Sequence, residues 1–377
     1  MSDIEIPEPD RVEGAPHPRE TRAVIGQDGA GQAFLEAFNG GRMHHGWLLT
    51  GPRGVGKATL AWALARFLLT QPSPDDAGGL FGDSPPAPTT LDTPADHPVA
   101  RRIAALSDPG VFLLRRAWDE DKKRLKTVIT VDEVRKLRSF FGLSAAGGGR
   151  RVVIVDSADE MNPNAANALL KMLEEPPEAA TLVLISHQPA RLLPTIRSRC
   201  RELRLSPLAP ADMAAALEQA GQTVTGDPAA LAELAGGSVG EAIRLLQLDG
   251  MVLYGDLVAL FAGHPRLDRP RAIKLAETAA ARGAEARFDL TLRLIEMLMA
   301  RLARTGATGT PPPEAATGEA EMLLRLAPSP GAARGWAEAA QLLSARARQG
   351  RAVSLDPAAL ILDTVLRMDE TAGRLAA

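Results

Sequence analysis

Cysteine is almost absent from this chain: Cys200 is the only one among 377 residues. A single thiol excludes internal disulfides and any zinc site built on several thiolates, and it fits a reducing compartment, so the cytoplasm is the expected location. No apolar run approaches the length of a membrane span. The acidic, proline-containing first residues also lack the basic and apolar regions of a signal peptide, so no membrane association is expected. Basic excess is missing too, with 43 Lys+Arg against 46 Asp+Glu and a net charge of −3. That balance argues against nucleic-acid binding through a broadly basic surface and confines any such contact to a local patch. Tyrosine occurs once and aromatic residues make up 4% of the chain, which points to helix-rich packing of alanine and leucine side chains. What is present is ample apolar content, 45%, enough for the cores of two or three domains in a soluble globular protein.

The strongest local signal is Gly51 to Thr59, GPRGVGKAT. It matches the phosphate loop G-x-x-x-x-G-K-[ST] except at Ala58. In such loops Gly51, Gly54 and Gly56 let backbone N–H groups wrap phosphates, Lys57 supplies a point charge, and the final hydroxyl binds Mg²⁺. Ala58 has no hydroxyl to offer. Trp47 to Thr50 reads as a short buried strand before the loop and Ala58 to Leu69 as an apolar helix after it, the context such a loop requires. The competing reading is a glycine-rich turn that happens to end in lysine.

Residues 1–20 are polar, carry four prolines, and read as a disordered leader. Residues 71–98 are rich in Pro, Gly, Asp and Thr without apolar period and read as a loop. His44 and His45 have packing or capping as their expected roles, and Lys122 to Lys126 reads as a solvated loop. Arg151 to Asp156, RVVIVD, is a continuous apolar run ending in a carboxylate, as an interior parallel strand with a metal-side or water-positioning acid requires. Asn162 and Pro163 open a helix with Ala165, Ala168, Leu169, Met172 and Leu173 on one face, and Pro176 with Pro177 ends it. Thr181 to Ser186 is a second buried strand, and Arg201 to Leu205 a further short one. Strands alternating with helices imply a parallel sheet with its ligand site at the strands' C-terminal ends. Beyond Pro207 only helical patterns remain, interrupted at Thr305 to Thr317 by a loop.

GPRGVGK at 51–57, VVIVD at 152–156, NALLKMLEEPP at 167–177 and IRSRC at 196–200 together resemble the clamp-loader subunits of the AAA+ ATPases. The resemblance implies an α/β AAA+ P-loop domain with a central parallel sheet over 21–207, a three-helix lid over 208–249, and an all-helical collar over 250–377. It further implies the tau/gamma and delta subunits of the clamp loader as partners, with the sliding clamp and primer–template DNA met in the same complex.

Active subunits of that family carry a set of residues that can be sought here one by one. Lys57 stands in the lysine position. Asp156 keeps the metal-side carboxylate, but Ser157 stands where a water-polarising glutamate belongs. Ser186 ends the sensing strand, and Gly240 stands where the lid carries a nucleotide-reaching arginine. Losing one transition-state contact costs roughly 10²- to 10³-fold in rate, so the resemblance implies a silent site that binds ATP or ADP weakly at most. No metal site is expected, and no zinc, although relatives carry a four-cysteine zinc module near 71–98. Arg199, in the Ser-Arg-Cys motif, is implied as a catalytic residue acting in trans on a neighbouring subunit's ATP. The bland alternative is that Arg197, Arg199 and Arg201 are the exposed side of a strand or loop. Two functional alternatives stay open: an active tau/gamma-type clamp-loader ATPase, and an unrelated P-loop kinase or repair ATPase, which leaves NALLKMLEEPP and IRSRC unexplained.

Overall fold

The computed structural model describes residues 7–71, 86–142 and 149–375. These divide into two compact units, the first formed by residues up to Thr223 with Gly237–Gly240, the second by Val224–Gly236 and residues from Glu241 onward.

The first unit is built on helix α1 (Asp28–Asn39), strand β1 (Gly46–Thr50), helix α2 (Lys57–Thr70), helix α3 (Pro98–Ala104) and strand β2 (Val111–Arg115). A small hairpin of β3 (Trp118–Asp119) and β4 (Arg124–Leu125) follows, taking up part of the expected loop at 122–126. Helix α4 (Val131–Gly142), strand β5 (Arg151–Asp156), helix α5 (Pro163–Glu174), strand β6 (Ala180–Ser186), the short α6 (Pro194–Arg197), strand β7 (Arg201–Arg204) and helix α7 (Pro210–Gln219) complete it. Five strands form one sheet in the order β2-β5-β6-β1-β7, and every pairing within it is parallel. Val152 to Val155 and the whole of β6 are buried. Strands covered on both faces by helices have no polar side to alternate with, which is why their sequences are continuous apolar runs. Helix α5 starts as its sequence implies, with the Asn162 side chain accepting from the Ala165 N–H at 2.8 Å and Pro163 in the first turn. It buries Ala165, Ala166, Leu169 and Leu173, with Ala168 and Met172 partly covered beside them.

Residues 7–20 depart from the disordered-leader expectation. Glu8 pairs with Arg19 at 2.8 Å, and Asp10 pairs with Arg115 at the end of β2 at 2.5 Å. The His17 Nε2 lies 3.0 Å from the other Asp10 oxygen, and both side chains are 1% exposed. Burial works against the Asp10 charge, but His17 and Arg115 outweigh it and hold the carboxyl below the ordinary aspartate range. Composition reads polarity and prolines as disorder, whereas carboxylates matched to distant cations can be buried in pairs. Within the expected loop at 71–98, residues 72–85 lie outside the described set, and 86–97 run without helix or strand into α3.

The second unit comprises α8 (Pro228–Ala235), most of α9 (Val239–Gln247), α10 (Gly250–Ala262), α11 (Arg269–Ala279), α12 (Glu285–Thr308), α13 (Glu319–Leu326), α14 (Pro330–Ala352) and α15 (Pro357–Leu375). Helix α12 runs three residues past the expected break at Thr305. The Thr305 hydroxyl donates to the Arg301 carbonyl at 2.8 Å, and Gly309, at φ 69°, ends the helix in the left-handed conformation. A polar network lies inside this unit. Glu319 is fully buried and accepts from Tyr254 Oη at 2.5 Å, Arg301 Nε at 2.6 Å and the Ala315 N–H at 2.7 Å. Arg301 also reaches Glu233 Oε1 at 2.8 Å and the Pro313 carbonyl at 2.5 Å. Among the described residues no single helix is long and apolar enough to cross a membrane.

Candidate functional site

The parallel register sets the site. Thr50 of β1 pairs with Ser186 of β6, and Val155 of β5 pairs with Leu184, so the strand tips carrying the phosphate loop, Asp156 and Ser186 lie side by side. Ligands of such sheets bind outside these ends. Gly51 leaves β1 at φ 139°, where a Cβ would sit 2.5 Å from the Leu205 carbonyl. Gly54 has φ 75°, and a Cβ there would come within 2.1 Å of Ser238 Oγ. Both positions therefore require glycine. Gly56 precedes the first turn of α2 as its left-handed N-cap. Gln27, just before α1, braces the loop: its Nε2 donates to the Val55 carbonyl at 3.0 Å and the Ser206 carbonyl at 2.8 Å.

Lys57 is buried and its Nζ donates to the loop's own carbonyls, Gly51 at 2.7 Å and Pro52. Burial pulls its pKa down to about 8, against the pull of Asp156 and Asp159. Asp156 moves the other way. Burial first, and then the neighbouring Asp10, push its carboxyl up to about 7, although Ser157 and Lys57 favour the charged form. Ser157 Oγ lies 3.0 Å from Asp156 Oδ1 and 2.9 Å from His187 Nε2. Burial, with Lys57 and Arg53 nearby, drops His187 to about 4, so its ring is neutral at physiological pH and a poor general base. Glu160, past the β5 tip, is engaged by Arg53 at 3.2 Å and Arg116 at 2.8 Å, and Asp159 accepts the His187 N–H at 3.0 Å. Both carboxylates are thus already engaged.

Two buried polar atoms at the β6 tip, Ser186 Oγ and His187 Nδ1, have no hydrogen-bond partner among the described residues. They could accept or donate to a phosphate or to water. The donor set is a poor fit for magnesium, because Ala58 lacks the hydroxyl that such loops give the metal. Residues 237–240 lie directly over the loop: Val239 N–H donates to the Gly54 carbonyl at 3.0 Å. A Cβ on Gly240 would stand 3.4 Å from Val12 and 3.5 Å from Gly54 Cα, ordinary contact distances.

Arg199 belongs to none of this. It follows α6, 37% exposed, with its Nη2 3.0 Å from Glu174 Oε1 and its Nη1 donating to the Thr195 carbonyl at 3.1 Å. The period-two arginines are not equivalent, since Arg201 lies over the Trp47 ring at 5.3 Å, a contact within its own domain. Cys200 is inert, its thiol pushed up to about 12 by burial. Thus Gly51, Gly54, Gly56, Lys57, Asp156 and Ser186 come together, while Arg199 stands apart. His187, Gln27 and Asp10 were not singled out from the sequence. Only His187 carried a signal there, as the residue directly after the strand-ending serine.

Residues 26–209 match the family model described as DNA polymerase III, delta subunit. The delta-prime subunit of DNA polymerase III from Pseudomonas aeruginosa is 40% identical over 223 residues, covering 58% of this chain and 60% of that protein. Its Escherichia coli counterpart is 31% identical over 225 residues, covering 58% and 59%. The gamma/tau subunit of Mycobacterium tuberculosis is 31% identical over 205 residues, covering 53% and 31%. The chain therefore spans about 60% of the length of the delta-prime relatives it matches. Residues 26–209, just under half of the chain, are thus similar to the DNA polymerase III delta-subunit family model and to delta-prime subunits.

Proposed function

We propose that this chain is a structural subunit of a DNA polymerase III clamp loader, which does not hydrolyse ATP itself and lends Arg199 to the ATP site of a neighbouring subunit. The observation that carries the reading is the contrast between its two sets of charged groups. At the phosphate loop Lys57 is tied to its own carbonyls, burial disfavours the charge of Asp156, and Ser157 stands between Asp156 and His187. Arg199 by contrast lies at the surface, paired with Glu174. Ser186 Oγ, His187 Nδ1 and the loop backbone are suited to weak ATP or ADP binding without turnover. The helical region from 250 onward is the proposed collar joining gamma/tau and delta subunits, with 21–207 as the AAA+ domain and 208–249 as the lid. The sliding clamp and primer–template DNA are met within that complex.

The test is ATP turnover by the isolated chain, set beside turnover by gamma/tau with delta in its presence and absence. The reading expects no turnover by the isolated chain and an increase on adding it to the others. Measurable magnesium-dependent hydrolysis by the isolated chain would establish instead an active ATPase of the gamma/tau type.

A further inference from the structure

We propose that Glu174 is a positioning residue for Arg199, holding the guanidinium against its own domain until phosphoryl oxygens of a neighbouring site displace the carboxylate. This rests on the reading of Arg199 as a residue lent to a neighbour.

The base of Arg199 is fixed and its tip is not. Its N–H donates to the Ile196 carbonyl at 3.1 Å, and Ile196 is fully buried. Around Gly46, at the start of β1, the Leu173 side chain and the Arg199 carbonyl stand so close that a Cβ would meet them at 2.9 and 3.0 Å. The end of α5 and the backbone of Arg199 are thereby locked to the same strand. Among the described residues, the guanidinium, however, is held only by groups at the surface: Glu174 Oε1, the Thr195 carbonyl and, at 3.5 Å, Ser198 Oγ.

Glu174 is poorly placed for stability on its own account. It is the last residue of α5, followed by Glu175 as C-cap, with Lys171 as the basic residue of that turn. A carboxylate there faces the negative end of the helix dipole and is unfavourable without a cation. Arg199 supplies the cation, and the pair is half exposed on both sides, 37% and 42%. Such pairs are weak enough to exchange, and a dianionic phosphoryl group competes well for a planar guanidinium. The carboxylate keeps Arg199 neutralised and oriented in the free chain, and it is released when Arg199 engages phosphate.

The experiment uses the full chain reconstituted with gamma/tau and delta subunits. At low ionic strength, E174Q should raise stimulated ATP turnover about twofold to fivefold, with the KM for ATP unchanged. The gain should shrink at about 0.3 M salt, where surface pairs are screened. E174D should behave as wild type, and E174Q combined with R199A should equal R199A alone. A merely structural role predicts loss of thermal stability in E174Q, whereas removing a charge from the helix end predicts none. In the isolated full chain, ¹⁵N relaxation of the Arg199 side chain should show faster guanidinium rotation in E174Q. Turnover equal to or below wild type in E174Q, with R199A impaired, overturns the role of Glu174 and leaves the lent arginine standing. Full turnover in R199A overturns the reading beneath both. Should E174Q not assemble, unchanged guanidinium rotation in the isolated chain would overturn the proposal.

Discussion

Glu319→Ala in the C-terminal unit offers the sharpest energetic test, because the side chain is fully buried and satisfies three donors. Removing one partner of a buried ion pair costs about 3–5 kcal/mol, since the other charge is left uncompensated. Here Arg301 retains Glu233 at 2.8 Å and the Pro313 carbonyl, which places the charge contribution at the lower end. Tyr254 Oη and the Ala315 N–H, however, lose their acceptor, and each stranded buried group adds about 1–3 kcal/mol before relaxation. Burial and Glu319 together push the Tyr254 hydroxyl above its ordinary range, so it remains a neutral donor in need of an acceptor. These terms sum to about 5–9 kcal/mol before relaxation, which corresponds to a fall in Tm of at least about 10 °C for a unit of this size. Scanning calorimetry and urea unfolding of the full chain measure it. A triple replacement, Y254F with R301M and E319L, should lie much closer to wild type than E319A, because it removes the polar groups together. A loss below about 1 kcal/mol in E319A would refute the argument that this network is a desolvated one.

Asp156→Asn addresses the site at the strand tips. Because burial raises this carboxyl from 3.8 to about 7, the folded state disfavours its charge, and stability that is full below pH 3.8 is lost as pH rises through about 7. The variant should match wild type near pH 4, gain on it up to pH 7, and hold a lead on the order of 2–4 kcal/mol above that, measured by urea midpoints across pH; a pH-independent difference would refute the shift. Gly54→Ala should destabilise the first unit by about 1–3 kcal/mol, because φ is 75° and Ser238 Oγ occupies the space a methyl needs. Thermal unfolding within about 0.3 kcal/mol of wild type would show that residues 237–240 do not rest on the loop.

Much of the first unit is legible in the sequence because its signals are local. The β1–loop–α2 sequence, the apolar runs of β5 and β6, and the Asn162–Pro163 start of α5 each depend on neighbours a few residues away. Ala58, Ser157 and Gly240 are legible for the same reason, at fixed offsets from strong motifs. What escaped was set by long-range pairing. Nothing near Asp10 announces that Arg115, 105 residues on, meets its carboxylate, so the segment reads as polar and unstructured. His187 owes its neutral state to burial and to Lys57 and Arg53, and Glu174 finds Arg199 only once α5 and α6 are folded against β1. The end of α12 lies beyond the expected break because Thr305 and Gly306 look like breakers only in isolation. In the helix, the threonine hydroxyl turns back onto Arg301, and Gly306 lets Ser329 and Ala333 approach within about 3 Å of where its Cβ would stand.

On the proposed reading, the group this chain contributes to the assembly is Arg199 at its surface. The most direct measurement is ATP turnover by the assembly of gamma/tau, delta and this chain, with wild type and Arg199→Ala compared at equal assembled mass. An arginine supplied in trans is worth about 10³- to 10⁵-fold at the site it serves. The variant should therefore assemble normally yet bring turnover down to the level seen without this chain. Assembly with undiminished turnover would contradict the account.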